Sequence, residues 1–248
     1  NKAEIEAFVG GTVAEGAPIV PISAQQTVNV DLLIEAIEET IPTPDRDLDA
    51  DARVQVARSF DINRPGTTAG GLNGGVVGGS LTGGRLEEGD EIAISPGAQP
   101  DDDGYETVTT TVRSLQAGGG SSAEVTPGGL VGIGTGLDPS MTKGDALAGQ
   151  VAGPPDSLPP VHEEFTMTVD LLDRVVGEDG AAIEEISTGE PLMMTVGTAT
   201  TVGAVTSART GECEVALKRP VCAEPGAKIA INRRMGSRWR LIGVGSLE

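Results

Sequence analysis

The glycine-rich run from Arg58 to Gly84, RSFDINRPGTTAGGLNGGVVGGSLTGG, constrains the fold of this chain more than any other stretch. Its second half contains a strand-like segment, residues 74–81, in which Gly74, Gly75, Gly78 and Gly79 carry no side chain. Glycine weakens a strand and marks a bulge, a barrel corner, or the close approach of another backbone or a ligand. Four glycines exceed what corners need, so we predict a surface that a partner approaches closely. The alternative is a small, tightly coiled barrel that needs bends at these positions.

The segment before the glycines predicts a strand and then a turn. Its even positions are apolar, and the alternation is broken only at Arg58. Those apolar positions are Val54, Val56, Phe60 and Ile62. The sequence NRPG at 63–66 favours a turn, because proline presets φ and glycine accepts a positive φ.

The charge of the chain is strongly acidic and unevenly distributed. Its formal net charge is −20. A charge of this size repels itself in dilute buffer and is tolerated where salt screens it, so we predict a salt-loving source. An acidic protein that binds cations is the alternative. Residues 209–248 run against the trend, with eight arginine or lysine residues against four acidic ones.

The chain shows no membrane or export signal. No apolar run approaches the roughly 18 residues of a bilayer span, and no signal peptide opens the sequence. We therefore expect a cytoplasmic protein with no membrane partner. Because the chain begins at Asn1 without methionine, we also expect a fragment.

Composition divides the chain into three parts. Residues 1–45 predict a helix at 2–9, a short strand at 17–22 and a second helix capped by Asn29, which together make a small α/β fragment. An acidic linker at 44–53 and a proline-rich linker near 154–160 follow. Alternating short segments with glycine and proline turns predict small closed β-barrels at 46–158 and 159–248. The predicted fold class is mainly β, with two consecutive small β-barrels.

The residue inventory excludes a complete active site. His162 is the only histidine, so a Ser-His-Asp or Cys-His set and a zinc site are both excluded. No GxxxxGK[ST] sequence is present to cradle a phosphate. The acidic sequence Asp101-Asp102-Asp103-Gly104 predicts a hairpin tip, and no further ligands follow at the spacing of a cation loop. We therefore predict a solvated turn there and no metal site in this chain.

Several stretches resemble one protein family. They are RSFDINRPGT and LNGGVVGGSLTGG, PGGLVGIGTGLDPSMTKGD at 127–145, LKRPV at 217–221 and GSRWRLIGVGSLE at 236–248. Together they resemble the gamma subunit of archaeal translation initiation factor 2, of the elongation factor Tu superfamily of translational GTPases. The resemblance covers almost the whole chain. It implies that residues 1–45 are the α/β end of a GTP-binding domain, whose P-loop, switches and base-reading motif are not in this sequence.

The resemblance also implies nucleotide and tRNA contacts. Ser23 and Ala24, with Gln25 beside them, match the family's Ser-Ala motif behind the guanine base of GTP. The strand of Gly75, Val76, Val77, Gly78 and Gly79 matches part of the pocket for the terminal adenosine of aminoacylated tRNA. Thr82 stands near the place where elongation factor Tu has a glutamate that meets this adenosine.

Two further surfaces follow from the resemblance and from the basic tail. The loop from Asp61 to Leu72 resembles the place where the alpha subunit docks. Its candidate contacts are Asp61, Asn63, Arg64, Pro65 and Gly66. Arginine forks suit phosphate oxygens, so the tail is a candidate tRNA contact through Arg233, Arg234, Arg238 and Arg240. The alternative for these arginines is pairing with the chain's own carboxylates. Strand parity places Trp239 in the core, with Arg238 and Arg240 on the opposite face.

The function implied by the resemblance belongs to the whole protein. That protein would bind GTP with Mg²⁺, hydrolyse it, and carry initiator methionyl-tRNA to the small ribosomal subunit with its alpha and beta subunits. This chain alone is expected to bind no cofactor. One alternative is another tRNA-carrying GTPase of the selenocysteine-specific elongation factor type. The other is a halophilic β-sandwich binding module.

Overall fold

The computed structural model describes residues 1–99, 104–173 and 183–248, so the predicted acidic hairpin tip at Asp101–Asp103 lies outside the described residues. The chain separates into two compact units, Asn1–Asp45 and Arg46–Glu248.

The first unit contains two helices and no sheet. Helix α1 covers Lys2–Val9 and helix α2 covers Val30–Thr40, and no residue of either helix is buried. The strand expected at 17–22 is not formed, and the only β-bridge of this unit joins Ser23 to Val28. An extended segment becomes a strand only when a neighbouring strand pairs with it, and none of the described residues does so here.

The expected cap of α2 is also wrong. Asn29 occupies the position before the helix, but its backbone is left-handed, with φ 57°, and its side chain makes no capping hydrogen bond. Its Nδ2 instead donates to the carbonyl oxygen of Pro21 at 2.9 Å. The side chain therefore closes the loop before α2 rather than its first turn.

The first barrel occupies the early part of the second unit. Its strands are β1 (Arg53–Phe60), β2 (Val76–Gly83), β3 (Leu86–Glu87), β4 (Glu91–Ala98), β5 (Glu106–Ala117), β6 (Gly120–Ser122), β7 (Glu124–Val125), β8 (Leu130–Thr135) and β9 (Val151–Gly153). The order β4-β9-β1-β2-β8-β5 closes on itself through the pairing of β5 with β4. Strand β6 extends the edge at β5, and β3 pairs with β7. A short helix, α3 (Pro139–Thr142), lies between β8 and β9.

The second barrel follows directly. Its strands are β10 (Val161–Leu171), β11 (Pro191–Val196), β12 (Ala199–Arg209), β13 (Glu212–Cys222), β14 (Lys228–Met235) and β15 (Arg238–Leu247). They close in the order β10-β13-β12-β11-β14-β15, entirely by antiparallel pairs. Closure pairs the strand edges that an open sheet would leave exposed. The prediction of a mainly β chain with two consecutive small barrels is confirmed.

Each barrel has its own core, filled mostly by aliphatic side chains and methionine. Fully buried side chains in the first include Ile92, Ile94, Leu115 and Ile133, and in the second Met167, Leu192, Met194, Ile231 and Ile242. Burial of such side chains stabilises each barrel by about 1.5–3 kcal/mol per residue.

A β-bulge in β1 overturns the predicted alternation. The register shifts between Val56 and Arg58, so the residues after the bulge exchange faces. Ser59 is buried, whereas Phe60 and Ile62 are 42% and 52% exposed. The break in alternation at Arg58 therefore marks the point where the side chains of β1 exchange faces. Phe60 and Ile62 do not share the inward face of Val54 and Val56.

A second bulge overturns the predicted core position of Trp239. Ile231 pairs with Gly243 and Asn232 with Leu241, so Ile242 is the extra residue of β15. Ile242 is fully buried, whereas Trp239 is half-buried and lies outside the core cluster. The parity argument failed because one extra residue moves the earlier part of the strand out of phase.

The acidic linker is folded onto the first barrel rather than extended. Asp47 Oδ1 accepts the backbone N–H groups of Asp49 and Ala50 at 2.9 and 3.1 Å, which forms a tight turn. The Asp47 carbonyl oxygen accepts the N–H of Gly84 at 2.8 Å. These contacts join the second half of the linker to the turn after β2.

The two barrels meet in a closely packed seam. A Cβ added at Gly149 of the first barrel would lie 2.9 Å from Cα of Ala199 in the second. Arg53 Nη2 donates to the Ser157 carbonyl oxygen at 2.7 Å and lies 3.6 Å from a carboxylate oxygen of Glu224. The proline-rich segment between the barrels therefore takes part in the seam.

Candidate functional site

Three of the four glycines around β2 are required by the barrel itself. A Cβ at Gly74 would lie 1.9 Å from the Thr135 carbonyl oxygen, and one at Gly79 would lie 1.9 Å from that of Gln55. A Cβ at Gly75 would lie 2.2 Å from Thr142 Oγ1. Close packing inside the barrel, the alternative considered for this strand, therefore explains these three positions.

Gly78 differs from its neighbours. A Cβ added there would meet nothing closer than the Val131 carbonyl oxygen at 3.8 Å and Phe60 Cε1 at 3.9 Å, which are ordinary contacts. Its φ lies outside the left-handed range that favours glycine. Neither packing nor backbone conformation requires a glycine at 78, so this position fits the close approach of a partner.

Gly78 lies at the centre of a shallow outward surface, which we call the glycine face. It is formed by Arg58 and Phe60 of β1, Gly78 of β2 and Gly132 of β8. Gly78 pairs with Arg58 on one side and with Gly132 on the other. A Cβ at Gly132 would meet only Gln116 Cβ, at 3.6 Å. The face therefore offers bare backbone bordered by one aromatic ring and one guanidinium.

An ion pair holds the arginine of the glycine face. Arg58 Nε donates to Asp145 Oδ1 at 2.8 Å, and the same oxygen accepts the backbone N–H of Ser59 at 3.0 Å. These two hydrogen bonds hold the pKa of Asp145 below its usual value, and the bond from Arg58 has the larger effect. Sequence patterns did not single out Phe60 or Asp145 as functional, since Phe60 belongs to the predicted apolar alternation and Asp145 lies 87 residues from Arg58.

The remaining residues of the predicted tRNA pocket are divided between core and surface. Val77 is fully buried, whereas Val76 is half-buried on the outward side of β2. Thr82 is exposed at the far end of the strand, where its Oγ1 donates to the Arg53 carbonyl oxygen at 3.1 Å. A partner could therefore contact Val76, Gly78 and Thr82 at the surface, whereas Val77 and Gly79 are buried.

The predicted docking loop is compact and closed at its base by two asparagines. Asn63 Nδ2 donates to the Asn73 carbonyl oxygen, and Asn73 N–H donates to Asn63 Oδ1, both at 2.8 Å. Asp61 Oδ1 accepts two hydrogen bonds from Asn63. Arg64, Pro65 and Gly66 project beyond this closure and are exposed, and Gly66 has φ 87°.

The C-terminal arginines are not equivalent. Arg233 makes a two-pronged ion pair with Glu190 and donates to the carbonyl oxygens of Glu184 and Glu185 at 2.8 and 3.2 Å. For Arg233 the structure thus favours the alternative of internal pairing. Arg234 and Arg238 are exposed near the β14–β15 turn, and Arg240 is half-buried. A role of these last three in RNA binding stays a prediction.

The Arg233 contacts predict a measurable stability difference. Both partners of the Arg233–Glu190 pair are less than one-fifth exposed. We expect Arg233→Ala to lower the free energy of unfolding by about 3 kcal/mol, because it leaves a partly buried carboxylate unpaired. Arg234→Ala, the matched control in the next position, should change it by less than about 0.5 kcal/mol. Denaturant unfolding in constant salt measures both, and equal effects would contradict the assignment.

The predicted nucleotide contacts lie in the first unit. Ser23 and Val28 exchange two backbone hydrogen bonds of 3.1 Å, and residues 24–26 form a short 3₁₀ turn between them. Ala24 and Gln25 are exposed on this turn. The turn provides backbone and amide groups but neither a cation for phosphates nor a carboxylate for Mg²⁺, so these three residues alone do not hold a metal-bound triphosphate.

Within the described residues, no three histidine, cysteine or acidic side chains are placed to share a metal ion. Cys213 is buried, and burial raises the pKa of its thiol to about 11, so it stays protonated near neutral pH. None of the helices that the structure describes has the length and apolarity to cross a bilayer.

Similarity to known proteins identifies the family of this chain. Residues 163–247 match the family model described as "Initiation factor eIF2 gamma, C terminal". Over 251 residues and 100% of its length, the chain is 70% identical to translation initiation factor 2 subunit gamma of Haloarcula marismortui. The chain belongs to the gamma-subunit family of archaeal translation initiation factor 2. It is 72% identical to the gamma subunit of Natronomonas pharaonis and 58% identical to that of Archaeoglobus fulgidus.

The chain corresponds to only part of the gamma subunits that it matches. The chain spans only 61% of the length of the Haloarcula and Natronomonas gamma subunits, and 59% of the Archaeoglobus one. The chain also resembles two solved structures. They are a bacterial selenocysteine-specific elongation factor, EF-Sec (TM-score 0.73, covering 99% of this chain and 36% of that one), and SelB of Methanococcus maripaludis (TM-score 0.74, covering 100% and 54%). At 19% identity these two show a shared fold.

Proposed function

We propose that this chain is part of a translation initiation factor gamma subunit that carries initiator methionyl-tRNA to the small ribosomal subunit. The observation that carries the proposal is identity of 70–72% to gamma subunits over the full length of the chain. Identity to the selenocysteine-specific factors is only 19%, which favours the initiation factor over that alternative. The β-sandwich alternative is wrong, because both β domains are closed barrels.

The chain supplies binding surfaces rather than a hydrolytic centre. The glycine face would receive the aminoacylated end of the tRNA, and the loop from Asp61 to Leu72 would dock the alpha subunit. The beta subunit would bind elsewhere on the whole protein. GTP with Mg²⁺ would be bound and hydrolysed by the whole protein, with Ser23, Ala24 and Gln25 behind the guanine base.

The charge of the chain fits this role in a salt-rich cytoplasm. Identity is higher to the haloarchaeal gamma subunits than to the Archaeoglobus one, in line with a salt-adapted net charge of −20. High salt screens the self-repulsion of the carboxylates. The same salt weakens phosphate contacts that depend on counterion release, so close packing must supply more of the RNA affinity.

Selection among tRNAs tests the proposed function. We expect the full-length GTP-loaded factor, with its alpha and beta subunits, to bind initiator methionyl-tRNA more tightly than selenocysteyl-tRNA or elongator methionyl-tRNA. Filter binding with labelled tRNAs at constant salt measures the three affinities. Preference for selenocysteyl-tRNA, or no preference among the three, would contradict the proposal.

A further inference from the structure

We propose that Arg58 is an RNA-contacting residue of the glycine face and that Asp145 is the positioning residue that fixes its guanidinium. The inference rests on the proposed function, because it assigns further residues to the same tRNA-binding surface. Arg58 interrupts the apolar alternation of its strand, and the family resemblance gives no reason for an arginine at this position.

The direction of the Arg58 side chain follows from the bulge in β1. The bulge between Val56 and Arg58 places Arg58 on the outer surface, directly opposite Gly78. Bulges re-aim side chains and are frequent beside functional sites. A Cβ at Gly78 would lie 4.0 Å from Arg58 Cβ, so the stem of the arginine borders the bare backbone.

Asp145 holds the guanidinium of Arg58 by one edge. The carboxylate bonds the Nε edge, while the two Nη groups make no hydrogen bond to any residue within the described ranges. Asp145 has a left-handed backbone, with φ 62°, which is uncommon for a residue other than glycine. This conformation lets a single oxygen bond both Arg58 Nε and Ser59 N–H. The Nη end is therefore left free for a partner.

The glycine face combines an exposed guanidinium, an aromatic ring and bare backbone. The Arg58 side chain is 71% exposed, and ion pairs this exposed add little to stability. Beside it are the partly exposed ring of Phe60 and the bare backbone of Gly78 and Gly132. Single-stranded RNA ends are recognised by stacking on aromatic rings and guanidinium planes and by arginine bonds to phosphate. An RNA end fits this combination.

Binding of labelled initiator methionyl-tRNA to the full-length GTP-loaded factor, over a series of KCl concentrations, tests the proposal. Arg58→Ala should weaken binding and lower the salt slope by about one. Asp145→Ala should weaken binding and leave the slope unchanged, because the charge of Arg58 remains. Arg58→Ala combined with Asp145→Ala should bind no worse than Arg58→Ala alone. Asp145→Asn, which keeps an oxygen for Ser59 and Arg58, should fall between wild type and Asp145→Ala.

The controls separate this inference from the function on which it rests. Arg46→Ala removes an equal charge from an exposed position of the linker before β1 and should leave affinity and slope unchanged. Normal binding by Arg58→Ala beside weakened binding by Gly78→Val would overturn the present inference and leave the tRNA surface standing. Normal binding by both variants would overturn the surface itself. A further loss when Asp145→Ala is added to Arg58→Ala would show that Asp145 acts independently and is not a positioning residue.

Discussion

Replacing Gly78 with valine should sharply weaken binding of initiator methionyl-tRNA to the whole factor while the first barrel stays folded. A side chain at Gly78 has room within the protein, since its Cβ would meet no atom closer than 3.8 Å. It would instead stand where the RNA end is proposed to touch backbone. Overpacking a tight contact costs about 1–3 kcal/mol. The expected loss of affinity is therefore roughly 5- to 150-fold.

The loss at Gly78 should be similar at every salt concentration, because it arises from shape and not from charge. Gly120→Val is the matched control, since a Cβ at this exposed glycine of the same barrel would meet no atom within 4 Å. It should bind tRNA normally. Circular dichroism should show native thermal midpoints for both variants. If Gly78→Val folds and binds normally while Arg238→Ala abolishes binding, the main RNA site is the C-terminal hairpin instead.

Deleting Thr67–Gly71 should abolish co-purification of the gamma subunit with the alpha subunit and hardly change the thermal midpoint of the first barrel. The asparagine closure at the base of the loop lies outside the deleted residues, so the connection from β1 to β2 can still form. Every deleted residue is exposed. The barrel therefore loses no buried contact, while the proposed docking loop loses its outer half.

Two measurements make the deletion informative. Binding of initiator methionyl-tRNA by the GTP-loaded gamma subunit alone should be retained, which would show that the glycine face is intact. Full recovery of the alpha subunit with the shortened protein would mean that alpha docks elsewhere. Substitution of Asn63 by alanine, which opens the base of the loop, should weaken co-purification less than the deletion.

The barrels could be predicted from alternating apolar residues, but the two bulges could not. Alternation carries the period of a strand, and closed barrels follow when many such strands occur without long helices. A bulge adds one residue without a distinctive composition, as at Ala57 and Ile242. The alternation therefore groups Phe60 with Val54 and Val56, and parity assigns Trp239 to the core. Phe60 is instead partly exposed on the glycine face, and Trp239 is half-buried outside the core cluster.

The sequence predicts which strand carries the candidate site, but not which of its residues a partner can reach. The density of glycine pointed to β2, yet only the backbone positions separate Gly78 from glycines that packing requires. The partnership of Arg58 with Asp145 joins residues far apart in sequence, and the internal pairing of Arg233 with Glu190 does the same. Contacts of this kind depend on strand register, which a single sequence specifies only through its alternation.

The seam between the barrels has a mechanical consequence. Gly149 lies against the backbone of Ala199, and Arg53 bonds the Ser157 carbonyl oxygen and lies beside Glu224, so contacts from both barrels meet at this joint. Hinges are a few loop residues that absorb large changes in φ and ψ, whereas the carbonyl oxygens of Pro159 and Pro160 in the connecting segment accept hydrogen bonds from Cys222 Sγ and Ala223 N–H of the second barrel. We therefore expect the two barrels to move together, so that a force applied at the proposed tRNA surface, the glycine face, would also turn the hairpin of β14 and β15.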